Sequence, residues 1–413
     1  NQWNSDIADG IKEIIVALAR YEDVKSIFDK AKAVDLFRSL YEATVPQLVR
    51  ASFGEFYTPY WLAEHVLETS RVKAGWNALD PCCGSGTFLI AAIAGIRQQL
   101  KDKPPHDIAE AVLTRVFGID LNPLAVLTAR IHYFIYIADL LEDWDEEIVI
   151  PVFLGDASNL PVIKTEDDVD FLYYELKTMK TPLTIYVPLA MAHDYKRFTH
   201  IMFEFERHVR AKEYVEAKAY LLTQGNAAKQ PKVVGEKLDE LAEQLIELER
   251  KEWNGIWARI IANFTTTACI GPFTNVIGNP PWIDWKSLPA GYREKVKALC
   301  IDKGLFSGAG RTGGINLNVC ALIAHVAATN WLAKKGHLAF LMPRELANQA
   351  SYEGWRHAVG GSKCSLVEFH DWSEAGYPFD PVKEDFMTFV FKGAASDQAT
   401  LPVFEYQLVN PRD

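Results

Sequence analysis

Short apolar runs alternate with longer helical patterns between residues 51 and 160. Apolar runs of three to six residues indicate buried strands, and apolar positions that recur at helical spacing indicate the helices between them. The predicted strands are 78–80, 116–120 and 148–153, and the predicted helices are 87–99 and 123–136. Strand, helix, strand, helix, strand is typical of a doubly wound, mostly parallel sheet.

The same alternation returns after residue 270. The predicted strands are 273–278, 337–342, 365–371 and 385–391, and the predicted helices are 316–334 and 350–359. The last two strands are close enough in sequence to form an antiparallel hairpin. Both halves together predict an α/β fold: a doubly wound, mostly parallel seven-stranded sheet with an antiparallel hairpin edge.

Highly charged helical patterns interrupt this alternation of strands and helices in the segment 161–269. Its leucines at 238, 241, 245 and 248 fall on one helix face, which is typical of packing rather than of a binding site. Only Leu183–Val187 could form a strand there. The segment is therefore predicted to be a helical insertion between two α/β halves, 51–160 and 270–393. Residues 1–50 are predicted to be an N-terminal helical segment, and residues 394–413 a linker towards a missing C-terminal region.

Composition narrows the class of protein. The chain of 413 residues is 49% hydrophobic and 23% charged, which is typical of a soluble globular protein of two or three domains. No run approaches the roughly 18 apolar residues of a membrane span. The first residue is Asn1, and no signal peptide follows it, so we expect an excerpt of a longer protein.

The cysteines and the net charge narrow the class of protein further. The six cysteines form no CxxC pair, which argues against zinc and disulfides and favours a reducing cytoplasm. A formal charge of −11 is unfavourable for binding nucleic acid, because phosphates require Lys and Arg. Any DNA-binding surface must therefore be a local cleft or be supplied by other segments or subunits.

A glycine-containing loop, Asp-Pro-Cys-Cys-Gly-Ser-Gly-Thr-Phe at 80–88, joins the first strand to its helix. Glycines let the backbone approach a ligand, and the helix start offers free N–H groups. The loop has neither GxGxxG nor the Lys of a Walker loop. Asp80 would repel a pyrophosphate but suits the amino group of an amino-acid-like cofactor.

Aspartates also follow the next two strands. Asp120 suits ribose hydroxyls, and Asp156 suits the exocyclic amine of adenine. With Asp80 they predict a site for S-adenosyl-L-methionine. Any one of the three could instead be a helix cap, but all three being caps is much less consistent with the pattern.

The sequence Asn279-Pro280-Pro281-Trp282 ends the apolar run 273–278. The prolines fix their own φ and favour an extended Asn279 at the end of a buried strand. A carboxamide beside an aromatic plane suits the amine of a nucleobase. The alternative is an ordinary Pro-Pro turn with a buried Trp.

These two motifs, with Gly-Glu-Phe-Tyr-Thr-Pro at 54–59 before them, resemble the gamma class of amino-methylating DNA methyltransferases, specifically the N6-adenine group. The resemblance covers roughly 50–160, the cofactor half, and 270–393, the catalytic half. It implies that the cofactor S-adenosyl-L-methionine is bound by Tyr57, Thr58, Pro59, Asp80, Cys83, Gly84, Ser85, Gly86, Thr87, Phe88, Asp120, Leu121, Asp156, Ala157, Asn279 and Asn316. The implied catalytic residues are Asn279, Pro280, Pro281, Trp282 and Phe379, with Tyr377 and Trp372 as rivals of Phe379.

The resemblance implies an adenine-specific DNA methyltransferase. Adenine N6 of a flipped base would donate hydrogen bonds to the Asn279 side chain and the Pro280 carbonyl, stack on Trp282 and accept the methyl group directly. Cys82, inside the glycine loop, is interpreted as a packed thiol rather than a nucleophile.

The insertion and the missing target-recognition region are typical of large restriction-modification or phage-defence enzymes, such as fused, BREX- or DISARM-type methylases. We expect double-stranded DNA and further domains or defence-system subunits as partners, in the cytoplasm, without membrane or metal. Methylation of cytosine N4 or another amine, or a partner-dependent or non-catalytic scaffold role, stay open as alternatives. A nicotinamide-dependent dehydrogenase is excluded by the glycine pattern.

Overall fold

The computed structural model describes residues 58–70, 72–145, 147–177, 182–250, 257–305, 317–361, 364–373 and 384–393. The predicted helical segment 1–50 and the predicted linker 394–413 lie outside these residues. In the described ranges, no helix is long and apolar enough to cross a membrane. Within the same ranges, no three His, Cys, Asp or Glu side chains are grouped so that they could hold a metal ion.

The described strands form a large and a small sheet. They are β1 (Ala78–Asp80), β2 (Val116–Asp120), β3 (Val152–Leu154), β4 (Val162–Glu166), β5 (Val169–Lys177), β6 (Pro182–Pro188), β7 (Phe273–Gly278), β8 (Leu332–Pro343), β9 (Cys364–Asp371) and β10 (Phe386–Gly393). The large sheet has the order β3-β2-β1-β7-β8-β10-β9. Its strands β3, β2, β1, β7 and β8 pair in parallel, and β10 runs antiparallel to both β8 and β9. The predicted seven-stranded sheet with an antiparallel edge is confirmed.

Helices cover this sheet and form much of the insertion. They are α1 (Tyr60–Thr69), α2 (Thr87–Gln99), α3 (Pro105–Arg115), α4 (Pro123–Ile137), α5 (Leu189–Ala192), α6 (Tyr195–Arg210), α7 (Tyr214–Gln224), α8 (Lys232–Arg250), α9 (Trp257–Cys269), α10 (Ala290–Asp302), α11 (Val319–Val326), α12 (Glu345–Asn348) and α13 (Glu353–Gly361). The helix predicted at 87–99 has the bounds of α2, and the one predicted at 123–136 ends one residue early.

The core of the large sheet is built on aromatic side chains. The Phe117 ring lies 5.2 Å from the Phe273 ring and 6.5 Å from the Phe153 ring, measured between centroids. The three residues come from β2, β7 and β3, so their contacts join the two halves of the chain that the insertion separates. Rings of this size remove much apolar surface from water and therefore stabilise the sheet strongly.

The insertion contains a small sheet as well as helices. Strands β4, β5 and β6 form an antiparallel sheet, and α6, α7 and α8 share a separate hydrophobic cluster with it. The sequence prediction included only part of β6, because charged residues hide the strand pattern of 162–170. The turn between β4 and β5 uses Asp167 and Asp168, both at positive φ. This is the backbone of a tight hairpin turn without its usual glycine.

Helix α9 contacts both the insertion and the large sheet. Its residues Ala258, Ile261, Ala262 and Phe264 pack in the hydrophobic cluster of the insertion. The Asn263 side chain accepts a hydrogen bond from the backbone N–H of Leu154, at the end of β3, at 3.0 Å. Trp331 donates from its indole nitrogen to the carbonyl of Thr267, at 2.9 Å. The helix therefore crosses from β3 back to β7, as a connecting helix does in a doubly wound sheet.

Strand β8 begins earlier than predicted. The helix expected at 316–334 lies partly outside the described residues, and its described part, α11, ends at Val326. A π-helical turn follows at Ala327–Trp331. The pairing of β7 with β8 shifts register between Phe273 and Asn275, and Lys335 has a φ of 63°. An irregular strand start of this kind has no apolar alternation, which is why periodicity did not show it.

Gly336 lies where the backbone of this irregular strand start is most closely packed. A Cβ atom there would lie 2.9–3.0 Å from the backbone carbonyls of Ala333, Phe273 and Thr274. We therefore expect Gly336→Ala to lower the free energy of unfolding by about 1–3 kcal/mol, the usual cost of overpacking. Urea unfolding measures this change. Gly235→Ala is the matched control, because its Cβ would meet only Ala227 at 3.7 Å, and it should not destabilise. Equal stability of both variants would contradict the prediction.

Candidate active site

The predicted polar residues meet at one edge of the large sheet. Strands β1, β2, β3 and β7 are parallel neighbours, so their carboxyl ends lie side by side. Asp80 and Asp120 end β1 and β2, Asp156 follows β3 by two residues, and Asn279 follows β7 directly. The chain order reverses at β1, between β2 and β7. This is the switch point at which open α/β sheets bind ligands.

The glycine loop, residues 81–86, is tied to the end of β2. Asp120 accepts a hydrogen bond from the backbone N–H of Gly84 at 2.8 Å through one carboxylate oxygen. Its other oxygen accepts from Asn122 N–H at 2.8 Å. Gly84 and Gly86 have φ values of 52° and 97°, which side chains other than glycine rarely adopt. The loop therefore needs these glycines for its backbone path.

Neighbouring helices hold the rest of the loop. His132 of α4 donates from Nδ1 to the Ser85 carbonyl at 2.7 Å, and burial lowers the pKa of this histidine. Gly86 is the N-cap of α2, Thr87 is its first residue, and Phe88 is buried under it. The N-cap of α4 is Asn122. Neither Asp80 nor Asp120 therefore caps the helix that follows it.

Asp80 is a buried carboxylate with one oxygen that no hydrogen bond within the described residues satisfies. Its side chain is 1% exposed, and Oδ1 accepts from Cys82 N–H at 3.0 Å. Oδ2 has no hydrogen-bond partner in the described part of the chain. Burial, reinforced by the charge of Asp120, raises the pKa of Asp80 well above its usual value. A Cβ on Gly278 would lie 2.6 Å from Oδ1, so β7 approaches this closely only with glycine there.

The Asp156 carboxylate lies in a network of hydroxyl groups. Ser158 donates to Oδ1 from its backbone N–H at 2.9 Å and from its hydroxyl at 2.6 Å. The Tyr292 hydroxyl lies 3.1 Å from both Oδ1 and Oδ2. Burial raises the pKa of Asp156, and these hydrogen bonds oppose the rise. Tyr292 was not predicted, because nothing in the sequence distinguishes it on α10.

The thiols of the glycine loop are protonated at neutral pH. Burial raises the pKa of Cys82 and Cys83 well above the usual value, and the charges of Asp120 and Asp80 raise it further. A neutral, packed thiol is a poor nucleophile. This supports the interpretation of Cys82 as a packing residue.

Asn279 contacts the start of α1. Its Nδ2 donates to the Thr58 hydroxyl at 3.2 Å, and Pro59 is the N-cap of α1. The two ends of the predicted site, 221 residues apart in sequence, are therefore adjacent. Pro280 is buried, Pro281 is half-buried, and Trp282 is 8% exposed.

A row of aromatic rings extends from Trp282. Phe386 lies 6.4 Å from it, and Trp372 stacks on Phe386 at 5.8 Å with an interplanar angle of 9°. The indole of Trp372 donates to Thr388 Oγ1 at 3.0 Å, and Trp61 of α1 lies 5.8 Å away. Trp372 was one rival for the second aromatic. Phe386 and Trp61 were missed, because contacts across strands leave no local signal.

The other predicted residues fall into three groups. Leu121 is 52% exposed on one side of Asp120, whereas Ile119 on the other side is fully buried. Ala157 is buried beside Asp156. Tyr57, Asn316, Tyr377 and Phe379 lie outside the described residues.

The comparison with protein families agrees with these motifs. Residues 32–150 match the model of the family described as N-6 DNA Methylase. The match covers 119 of the 413 residues of the chain. The match includes the glycine loop and Asp120, and the predicted resemblance to the N6-adenine group is confirmed.

Two curated proteins that are similar to part of this chain are much longer than the region that they match. The "Adenine-specific methyltransferase PglX" of Streptomyces coelicolor is 32% identical over 114 residues, which is 24% of this chain and 9% of that protein. The "Type I restriction enzyme EcoEI methylase subunit" of Escherichia coli is 24% identical over 156 residues, 34% of this chain and 30% of that protein. The matched region thus spans less than a third of either relative.

A solved structure has the same fold. The DrdV–DNA complex aligns with a TM-score of 0.50 and 15% identity, over 94% of this chain and 31% of that chain. At this identity the likeness establishes the fold alone. The alignment extends beyond residues 32–150, because it covers 94% of this chain.

Stability should depend on pH through Asp80. The pKa of Asp80 in the folded state is raised above 3.8, the value in the unfolded chain. Between these two pKa values the folded state binds more protons than the unfolded state. Stability from this group is therefore lost with rising pH, by about 1.4 kcal/mol per pH unit within that window.

We expect Asp80→Asn, which cannot ionise, to gain stability relative to the wild type as pH rises from about 4 towards neutrality. Urea unfolding at several pH values measures the difference. Asp107→Asn on the exposed start of α3 is the control and should show no such gain. A difference between wild type and Asp80→Asn that does not change with pH would refute the prediction.

Proposed function

We propose that this protein transfers a methyl group from S-adenosyl-L-methionine to N6 of adenine in double-stranded DNA. The observation that carries the proposal is the meeting of Asn279 with Asp80, Asp120 and Asp156 at the switch point of a parallel sheet. The names of the relatives, an adenine-specific methyltransferase and a restriction methylase subunit, support the same chemistry.

The residues present fit this cofactor. The buried Oδ2 of Asp80 is an acceptor that suits an ammonium group, which would also favour the ionised carboxylate. Asp120 suits ribose hydroxyls, and Asp156 with the exposed Leu121 suits the adenine. Residues 83–88, Thr58, Pro59 and Ala157 would complete the site, with Tyr57 and Asn316 from outside the described residues. The bound cofactor supplies an electrophilic methyl group on sulfur.

The side chains of Asn279 and Trp282 would orientate the target base. Because Nδ2 of Asn279 donates to Thr58, the carboxamide has a fixed orientation in which Oδ1 is the acceptor assigned to adenine N6. The Pro280 carbonyl would accept the second N6 hydrogen. Together these bonds favour an amine whose lone pair is available for transfer.

Stacking would hold the base in place. Trp282 would form one wall, and Trp372 or Phe379 the other. Extruding a base from the duplex costs a few kcal/mol, which base–aromatic stacking of about 1–3 kcal/mol helps to offset.

The partners follow from charge and from the size of the relatives. With a net charge of −11, this chain supplies little of the positive surface that DNA phosphates require. We infer that further domains or restriction-modification or phage-defence subunits supply it and select the sequence that is methylated. Marking of host DNA, in the cytoplasm, is the function that this arrangement serves.

The decisive test identifies the methylated base. Full-length protein is incubated with methyl-labelled S-adenosyl-L-methionine and duplex DNA, and the DNA is digested to nucleosides. Label on N6-methyladenine supports the proposal. Label on cytosine or on protein, with none on adenine, would refute it in favour of another amine substrate. No label in the presence of all partner subunits would favour a scaffold role.

Replacement of Asn279 should separate catalysis from cofactor binding. We expect Asn279→Ala to lower kcat at least about 100-fold, because the amine loses its orientating acceptor. Binding of S-adenosyl-L-homocysteine should stay within a few-fold of the wild type by calorimetry. Asn330→Ala removes an exposed carboxamide before β8, at the opposite end of the strands, and should be as active as the wild type. Wild-type activity of Asn279→Ala would show that its assigned role is wrong.

A further inference from the structure

Tyr292 connects the two halves of the candidate site. It lies on α10, ten residues after Trp282, yet its hydroxyl contacts Asp156, which follows β3. The hydroxyl also lies 2.8 Å from the Ser158 hydroxyl. The phenol thus reaches from the target-base loop to the carboxylate assigned to the purine of the cofactor.

The hydrogen bonds around Asp156 occupy most of the positions at which its carboxylate can accept a proton donor. An ionised carboxylate offers about four acceptor positions, two on each oxygen. The backbone N–H and the hydroxyl of Ser158 take both positions on Oδ1. Tyr292 has one hydroxyl proton, and we assign it to a hydrogen bond shared between Oδ2 at 3.1 Å and the Ser158 hydroxyl oxygen at 2.8 Å. One acceptor position then stays open, on Oδ2.

We propose that Tyr292 is a positioning residue that fixes the Asp156 carboxylate with one open acceptor, so that the site selects a 6-aminopurine cofactor over a 6-oxopurine one. This inference rests on the proposed function. An amino group at C6 donates to the open position, whereas a keto oxygen faces a carboxylate and is repelled. A carboxylate free to rotate would discriminate less, because it could turn Oδ2 away from the purine.

Helix α10 also carries a positive charge that acts on Asp156. Lys295 is one helical turn from Tyr292, and its charge lowers the pKa of Asp156. Tyr174 of β5 faces the site beside Lys295, and its hydroxyl accepts from Asn159 at 3.1 Å rather than donating to Asp156. Cys82, from the glycine loop, is a protonated thiol. Tyr292, Ser158 and Lys295 therefore favour the ionised form of Asp156 and oppose the effect of burial.

The test compares two ligands that differ only at C6 of the purine. S-adenosyl-L-homocysteine and S-inosyl-L-homocysteine are titrated into the full chain by calorimetry. We expect Tyr292→Phe to weaken adenosyl binding about tenfold and to reduce the adenosyl-to-inosyl preference by a similar factor, which is the usual effect of losing a hydrogen bond to a charged group. Tyr174→Phe, which removes a phenol hydroxyl that does not contact Asp156, should keep the wild-type preference.

The pH profile distinguishes positioning from simple packing. Loss of a donor to the carboxylate raises the pKa of Asp156, so Tyr292→Phe should lose adenosyl binding at a higher pH than the wild type as the pH falls. In an Asp156→Asn background, Tyr292→Phe should change binding by less than about twofold, because Tyr292 acts through the carboxylate.

The other outcomes would overturn either this inference alone or the proposed function with it. Equal binding and equal preference in Tyr292→Phe and wild type would overturn this inference and leave the proposed function intact. Tighter adenosyl binding by Tyr292→Phe would also overturn it, since the phenol would then compete with the purine for Asp156. Absence of adenosyl binding by the wild type would overturn the proposed function together with this inference.

Discussion

The structure depends on the crowding of carboxylates at the ends of three adjacent parallel strands. Asp80 is almost fully buried, and Asp156 is nearly so. Burial of a charge is costly unless donors surround it. Asp120 has a backbone N–H donor on each oxygen, and Asp156 has Ser158 on one oxygen and the Tyr292 hydroxyl near the other. Asp80 has a donor on one oxygen. The uncompensated oxygen of Asp80 is therefore where the folded chain has most to gain from a cationic ligand.

The buried carboxylates also require glycine at two nearby positions, Gly278 and Gly84. Gly278 lets β7 approach the Asp80 carboxylate, and Gly84 turns its N–H towards Asp120. A side chain at either position would separate the strand ends or remove a donor. The site thus trades stability for affinity, which is the usual relation between buried functional groups and the fold that carries them.

The sequence predicted those parts that depend on local pattern. Helix α2, the central strands and the strand-end acids were found because apolar runs, helical spacing and glycine loops are local signals. Strand β4 was missed because its exposed, charged residues hide the alternation, and its partner β5 was missed with it. Tyr292, Phe386 and the pairing of Thr58 with Asn279 could not be predicted, since each depends on segments far apart in sequence that only the assembled sheet brings together.

Long-range contacts of this kind also explain how the site tolerates the insertion. The cofactor half and the catalytic half are joined directly by the parallel pairing of β1 with β7. Several side-chain hydrogen bonds cross the same boundary, among them those from Asn279 to Thr58, from Tyr292 to Asp156 and from Asn275 to Ser70. The insertion has its own hydrophobic cluster. These connections hold the strand ends together across the insertion, and the proposed chemistry lies at the switch point rather than in the segment between the halves.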